Sequence, residues 1–188
     1  MRKLKLQMQM SLDGFVSTGP NDEQQWVTWA LDEIKPQVLE LLESTDTIII
    51  GRKLAVDYIP YWLNTVKNPE GEMYSLAERI VSAKKIVFTK TIPESRWENT
   101  DVNAGNLVNE IQRLKSQPGK DLVVYGGSSF VSELVKEELI DEFYFFVNPV
   151  VLGKGDSIFD KINTHRQLKL KKSIVYNCGI LMLNYVLK

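Results

Sequence analysis

Residues 122–130 read LVVYGGSSF: an apolar run, a glycine pair, two serines and the start of a segment with helical character. A strand that turns through two glycines straight into a helix is the building unit of an α/β sheet. Thr47–Ile50 runs in the same way into Gly51-Arg52-Lys53 and a helical stretch that Pro60 is expected to stop. Lys85–Thr89 forms a third apolar run, after a helix expected over Tyr74–Ala83. Continuous apolar runs of this length fit strands covered on both faces.

Working outward, Lys3–Met10 alternates strictly, with Leu4, Leu6, Met8 and Met10 opposite Lys3, Lys5, Gln7 and Gln9. Asp22 is positioned to cap a helix from about Glu23 to Glu43, with Trp26, Trp29, Ile34, Val38 and Leu41 at helical spacing. Pro36 either kinks this helix or opens a second one. A weak strand is expected near Trp97, then helices over Asn106–Ser116 and Ser129–Glu138. The last third changes to strands at Glu142–Val151, Lys169–Tyr176 and Ile180–Leu187, the final two joined through Asn177-Cys178-Gly179. The expectation is a three-layer α/β/α fold with a central mixed, mostly parallel sheet and a C-terminal antiparallel hairpin, residues 1–188 forming one domain.

Composition narrows the function. With 188 residues, 44% hydrophobic, 25% charged and a formal charge of −1, the chain is ordinary globular protein without the basic field of a nucleic-acid binder. One cysteine and one histidine leave no ligand set for zinc, and no run approaches the ~20 apolar residues of a membrane span. A cytoplasmic location is expected.

Chemistry in open α/β sheets gathers at the carboxyl ends of strands, where helix N-termini offer free N–H groups. Gly126-Gly127 admits a close ligand, and Ser128 and Ser129 add hydroxyls; the turn is either a phosphate cradle or a packing corner. Arg52 and Lys53 oppose the helix macrodipole unless an anion offsets them, or they simply extend into water. Two phosphate-friendly strand ends suggest a dinucleotide, and the extra cation favours a 2′-phosphate, hence NADPH. Neither a P-loop nor a GxGxxG fingerprint is present.

Five stretches in order carry a resemblance: Ser11-Leu12-Asp13-Gly14; Ile50-Gly51-Arg52; Tyr125-Gly126-Gly127-Ser128; Leu139-Ile140-Asp141-Glu142; and Pro149–Gly155 through Phe159. This set resembles the reductase domain of bacterial riboflavin biosynthesis and, more broadly, the dihydrofolate reductase-like superfamily. The resemblance implies NADPH as hydride donor and a planar heterocycle as substrate, pterin-like or of the 5-amino-6-(5-phosphoribosylamino)uracil kind. It implies that Gly51, Arg52 and Lys53 meet the adenosine-side phosphates, that Thr89 lies near the ribose-phosphate, and that Tyr125, Gly126, Gly127, Ser128, Ser129 and Phe130 wrap the pyrophosphate. Leu152 and Gly153 would form a neighbouring loop. Leu54 departs from the Thr or Ser that many relatives carry after Gly-Arg-x. The deaminase domain fused to many relatives is missing from this sequence, which leaves the pathway open.

On the substrate side, Gln9 lines the cleft if the first strand is central. Asp13 is the nearest candidate proton donor, or the first residue of a turn; an ordered water is the other proton source. Trp26 offers a flat surface or belongs to the core, and Asp57 faces the cleft or solvent. The C-terminal edge strands and Phe143–Val147 raise the expectation of a homodimer, or of more core. A cofactor-binding protein without turnover and a reductase of an unrelated carbonyl or imine are the competing readings.

Overall fold

The computed structural model describes all 188 residues. Its strands are β1 (Leu4–Ser11), β2 (Thr45–Gly51), β3 (Lys84–Phe88), β4 (Thr100–Asn103), β5 (Asp121–Tyr125), β6 (Glu142–Asn148), β7 (Leu168–Val175) and β8 (Leu181–Leu187). The helices are α1 (Leu31–Glu43), α2 (Arg52–Thr65), α3 (Tyr74–Ser82), α4 (Leu107–Ser116) and α5 (Ser128–Lys136). The strands follow one another in a mixed eight-stranded sheet in the order β4-β3-β2-β5-β1-β6-β8-β7. No helix is long and apolar enough to cross a membrane.

The chain divides into two compact units: residues 1–3 with 35–127, and residues 4–34 with 128–188. In the first, β4, β3, β2 and β5 pair in parallel. Ile48, Ile49, Ile50, Leu122, Val123 and Val124 are wholly buried, as runs without alternation require of strands covered on both faces. Asn106 caps α4, its side chain accepting from the Asn109 N–H at 3.1 Å. In the second unit β1 and β6 are parallel, and β8 and β7 add antiparallel. A three-residue loop with Gly179 at φ 89° closes the β7–β8 hairpin.

Three expectations are corrected. Residues 23–30 are not helical: Asn21 and Gln24 have positive φ, and Asp22 accepts from the N–H groups of Thr18 and Gln24 and the indole of Trp26, organising a loop instead of capping a helix. Trp26 is half-buried in that loop and Trp29 is 54% exposed, so the two do not share a helical core face. The helix after Gly51 runs through Pro60 to Thr65, because Pro60 lies on the exposed face, where water can satisfy the carbonyl that loses its donor. Trp97 precedes the strand, which is Thr100–Asn103. Of the two readings of Phe143–Val147, Phe143, Phe145 and Phe146 follow the core reading, while Tyr144 and Val147 are half-buried. The remaining edge, β7, is exposed along most of its length and carries Lys169, Lys171 and Lys172 with a register shift between Leu170 and Lys172, features that oppose edge-to-edge pairing.

One buried cation holds a helix end. Lys85 is 2% exposed, and its ammonium donates to the carbonyls of Ile80, Val81 and Ala83 at 3.1, 2.9 and 2.7 Å, closing the C-terminus of α3. Burial pushes its pKa down to about 8, with the Glu98 charge opposing. Lys85→Met should lower stability to urea by about 1–3 kcal/mol, since three carbonyls lose their donor. A base whose pKa is lower folded than unfolded binds fewer protons in the folded state, so wild-type stability gains from Lys85 as pH rises above about 8. The methionine variant should lack that gain.

Candidate functional site

In the first unit the carboxyl ends of β3, β2 and β5 lie side by side. Gly51 ends β2 and precedes α2 with φ −77° and ψ 146°, and no side chain caps the helix. Arg52 and Lys53 are exposed and make no ion pair, and the first turn contains no acid to neutralise them. The start of α2 therefore combines uncapped N–H groups with two cations, an arrangement that an anion would stabilise. Leu54 is half-buried and supplies no hydroxyl there.

Thr89 follows β3 and is buried, its N–H donating to the Asn103 carbonyl while its hydroxyl oxygen accepts from the Thr91 N–H at 3.1 Å. Tyr125 ends β5 and stacks on Tyr58 of α2 with centroids 5.4 Å apart; Trp62 meets Tyr58 edge-on at 5.9 Å. Burial pushes both phenols well up, and for Tyr58 the neighbouring Tyr125 adds to the effect. Both phenols stay protonated across the physiological range. Gly127 is exposed, and a Cβ built on it meets nothing within 4 Å. Asp57 sits on the exposed face of α2.

In the second unit the paired ends Ser11 and Asn148 place two loops side by side. Asn148 is fully buried: its Oδ1 accepts from the Thr28 N–H at 2.8 Å, and its amide nitrogen donates to Gln9 Oε1 at 2.9 Å and to the Phe146 carbonyl at 3.1 Å. Gln9 is half-buried, its oxygen committed to Asn148 and its amide nitrogen left to offer.

Asp13 ties the two loops together. Its carboxylate accepts from Ser11 Oγ at 2.7 Å, the Leu152 N–H at 3.1 Å and the Gly153 N–H at 2.7 Å. The Ser11 hydroxyl holds its pKa below the ordinary carboxylate value against a smaller effect of burial, and the two amides add to the lowering. With those three donors the Asp13 carboxylate latches the loop after β1 to the loop after β6. Its stabilising contribution is complete above the ordinary carboxylate pKa and is lost as pH falls through the lowered value. Asp13→Asn should free the loop at 152–153, seen as faster amide exchange at Leu152 and Gly153, without moving the neutral limb of any pH–rate profile.

Asp156 fastens the same loop. Its backbone pairs both ways with residues 16 and 17, and its carboxylate accepts from Ser128 Oγ at 3.1 Å at the start of α5. A Cβ on Gly155 would collide with the Ser17 carbonyl, so the approach requires glycine. Ser129 is exposed and Phe130 half-buried in the first turn of the same helix. Burial raises the pKa of Asp22, but bonds from Trp26, Thr18 and Gln24 outweigh it and hold the carboxyl below its usual value. No group of three His, Cys, Asp or Glu residues is placed to hold a metal ion.

Sequence reasoning missed Tyr58, Asn148 and Asp156. Asn148 had a visible signal, as the polar residue that ends an apolar run just before Pro149. Tyr58 had a partial one in Trp62 four residues on, but its partner Tyr125 and the partners of Asp156, Ser17 and Ser128, are distant in the chain.

Comparison with known proteins shows the family and the fold. The family model for the RibD C-terminal domain matches residues 2–182. The uncharacterized protein YyaP of Bacillus subtilis is 33% identical, with 98% of this chain and 94% of that protein covered. A solved putative riboflavin biosynthesis protein from a Shewanella species superposes with a TM-score of 0.75 at 20% identity, over 99% of each chain. Dihydrofolate reductase from Enterococcus faecalis, complexed with NADP(H), superposes with a TM-score of 0.59 at 16% identity, over 99% of this chain and 96% of that one. At these identities the two structures speak for the fold, a mixed sheet of the dihydrofolate reductase type.

Proposed function

We propose, on the premise that the chain belongs to the RibD C-terminal domain family, that it is an NADPH-dependent reductase of a small planar heterocycle, pterin-like or aminopyrimidine-ribosyl in kind. The observation that carries the reading is the start of α2: Gly51, Arg52 and Lys53 at a strand end, with no cap, no acid and no ion pair. Bound NADPH supplies a hydride, two electrons with one proton, to an electrophilic carbon of a C=N or C=O group.

The chain's own residues bind and orient. Gly51, Arg52 and Lys53 hold the adenosine-side phosphates, with Thr89 beside the ribose-phosphate. Tyr125, Gly126 and Gly127, followed by Ser128, Ser129 and Phe130, receive the pyrophosphate; for this the Ser128 hydroxyl exchanges the Asp156 carboxylate for a phosphate oxygen. Leu152 and Gly153 form a loop held by Asp13. Gln9 and Trp26 are the substrate contacts we propose in the second unit, and Asp57, on the exposed face of α2, is a separate candidate in the first. The reduced π bond leaves its electron pair on nitrogen or oxygen, which takes a proton. Asp13 is ionised at neutral pH and has none to give, so we assign the proton to an ordered water. A cytoplasmic location and a homodimer belong to the same reading.

Titration with NADPH, followed by its consumption on adding candidate heterocycles, tests the proposal. Binding with consumption supports it. Binding without consumption by any heterocycle, carbonyl or imine supports a cofactor-binding module, for which the depressed Asp13 and the missing hydroxyl at Leu54 speak. Absence of binding sinks both.

A further inference from the structure

The second unit holds a cavity of about 500 Å³, a size within the range of small-molecule pockets. Ile140 and Phe143 line it at the start of β6, whereas Asn148 and its partner Ser11 stand at the far ends of β6 and β1. Leu168 and Leu187, paired at the start of β7 and the finish of the antiparallel β8, line it as well. Val135 adds the last turn of α5, seven positions beyond Ser128 and about 10 Å along the helix. The cavity is therefore separate from the contacts proposed for the cofactor.

Its walls are apolar and fixed. Phe143 and Phe145 lie 5.6 Å apart between ring centroids, and Phe145 meets Phe159 edge-on at 6.0 Å. The segment after Phe159 is tied to α5 twice: Lys161 donates to the Glu133 carboxylate, and the Arg166 guanidinium donates to the carbonyls of Val135 and Lys136. Ile162, Leu168 and Leu187 are only half-buried beside this cavity, which leaves apolar surface for a ligand to cover.

The charges at its rim are already paired. Glu138, just past α5, stands 3.4 Å from Arg166, and the same guanidinium satisfies the last carbonyls of the helix. A ligand carboxylate here would face Glu138, and an ammonium would face Arg166. What remains is the Asn163 amide, the Thr164 hydroxyl and the His165 imidazole, three consecutive exposed side chains that line the cavity and bond to no other group of the protein. An amide or hydroxyl head can pair with them and leave the ion pair intact.

We infer that this cavity is a second small-molecule site, for an uncharged and mostly apolar molecule with one hydrogen-bonding head. Its body lies against Phe143, Phe159 and Leu187, and its head meets Asn163, Thr164 and His165.

His165 is the single histidine of the chain, so its ring Cε1–H resonance in proton NMR reports on the cavity directly. The full chain is titrated with 2-naphthaleneacetamide and, separately, with 2-naphthaleneacetate. The amide should move the His165 resonance saturably with a Kd below about 1 mM, and the carboxylate should bind at least ~10-fold more weakly. Ile162→Trp, which fills the cavity from its wall, should abolish the shift. Thr164→Val, at an exposed position where the fold is not at stake, should weaken the amide several-fold through loss of the hydroxyl. No saturable shift up to the solubility limit, a carboxylate bound as tightly as the amide, or unchanged affinity in either folded variant overturns the inference. No nucleotide enters this measurement, so its outcome is independent of the reductase reading.

Discussion

Gly127→Leu should abolish useful NADPH binding in a protein that still folds. Nothing lies within 4 Å of a Cβ at this position, and its φ is outside the left-handed region, so the chain has room for a side chain. The remaining cost is that of leucine at the position before α5, about 1 kcal/mol, or a fall in Tm of about 2–4 °C. A phosphate drawn against the amides of residues 126–129 occupies the same open space. A loss of about 100-fold in affinity, equivalent to about 2.7 kcal/mol, is expected from calorimetric titration. Gly155→Ala is the contrasting control: its methyl runs into the Ser17 carbonyl, so it should destabilise the fold outright. Unchanged affinity in Gly127→Leu would make the glycine pair only a corner between strand and helix.

Arg52→Gln should trade stability against binding in opposite directions. The cation at the start of α2 has no partner and faces the positive end of the macrodipole, so removing it should raise stability by about 0.3–1 kcal/mol. NADPH affinity should fall by about 10–100-fold, the range of a charge-assisted contact to phosphate, and the loss should diminish at high salt. NADH, which lacks the 2′-phosphate, should be affected by no more than about 3-fold if the guanidinium reads that group. A variant destabilised by the change would show instead that Arg52 is structural.

Much of the fold was legible because buried parallel strands carry a plain signal. Ile48–Ile50 and Leu122–Val124 read as covered strands and are wholly buried. Local chemistry misled where a residue had two uses. Asp22 has the makings of a helix cap, yet its carboxylate gathers three donors into a loop that the positive φ of Gln24 keeps from becoming helical. Pro60 is a helix breaker only where the lost bond is buried, and here it faces solvent.

The proposed phosphate contacts were legible as glycines and cations at strand ends, all local features. The loop contacts of the second unit were not. Asp13 looked like a turn residue or an acid because its two amide donors, Leu152 and Gly153, lie about 140 residues downstream. Those bonds, with the Ser11 hydroxyl, are what set its pKa low.

The central claim is that the strand ends around Arg52 and Gly127 hold NADPH. The direct measurement is the affinity of the wild-type chain for NADPH and NADH, titrated side by side in the same buffer. The account predicts NADPH binding at least ~10-fold tighter than NADH, about 1.4 kcal/mol, with the preference falling as salt rises. Equal affinities, or no binding of either nucleotide, would contradict it.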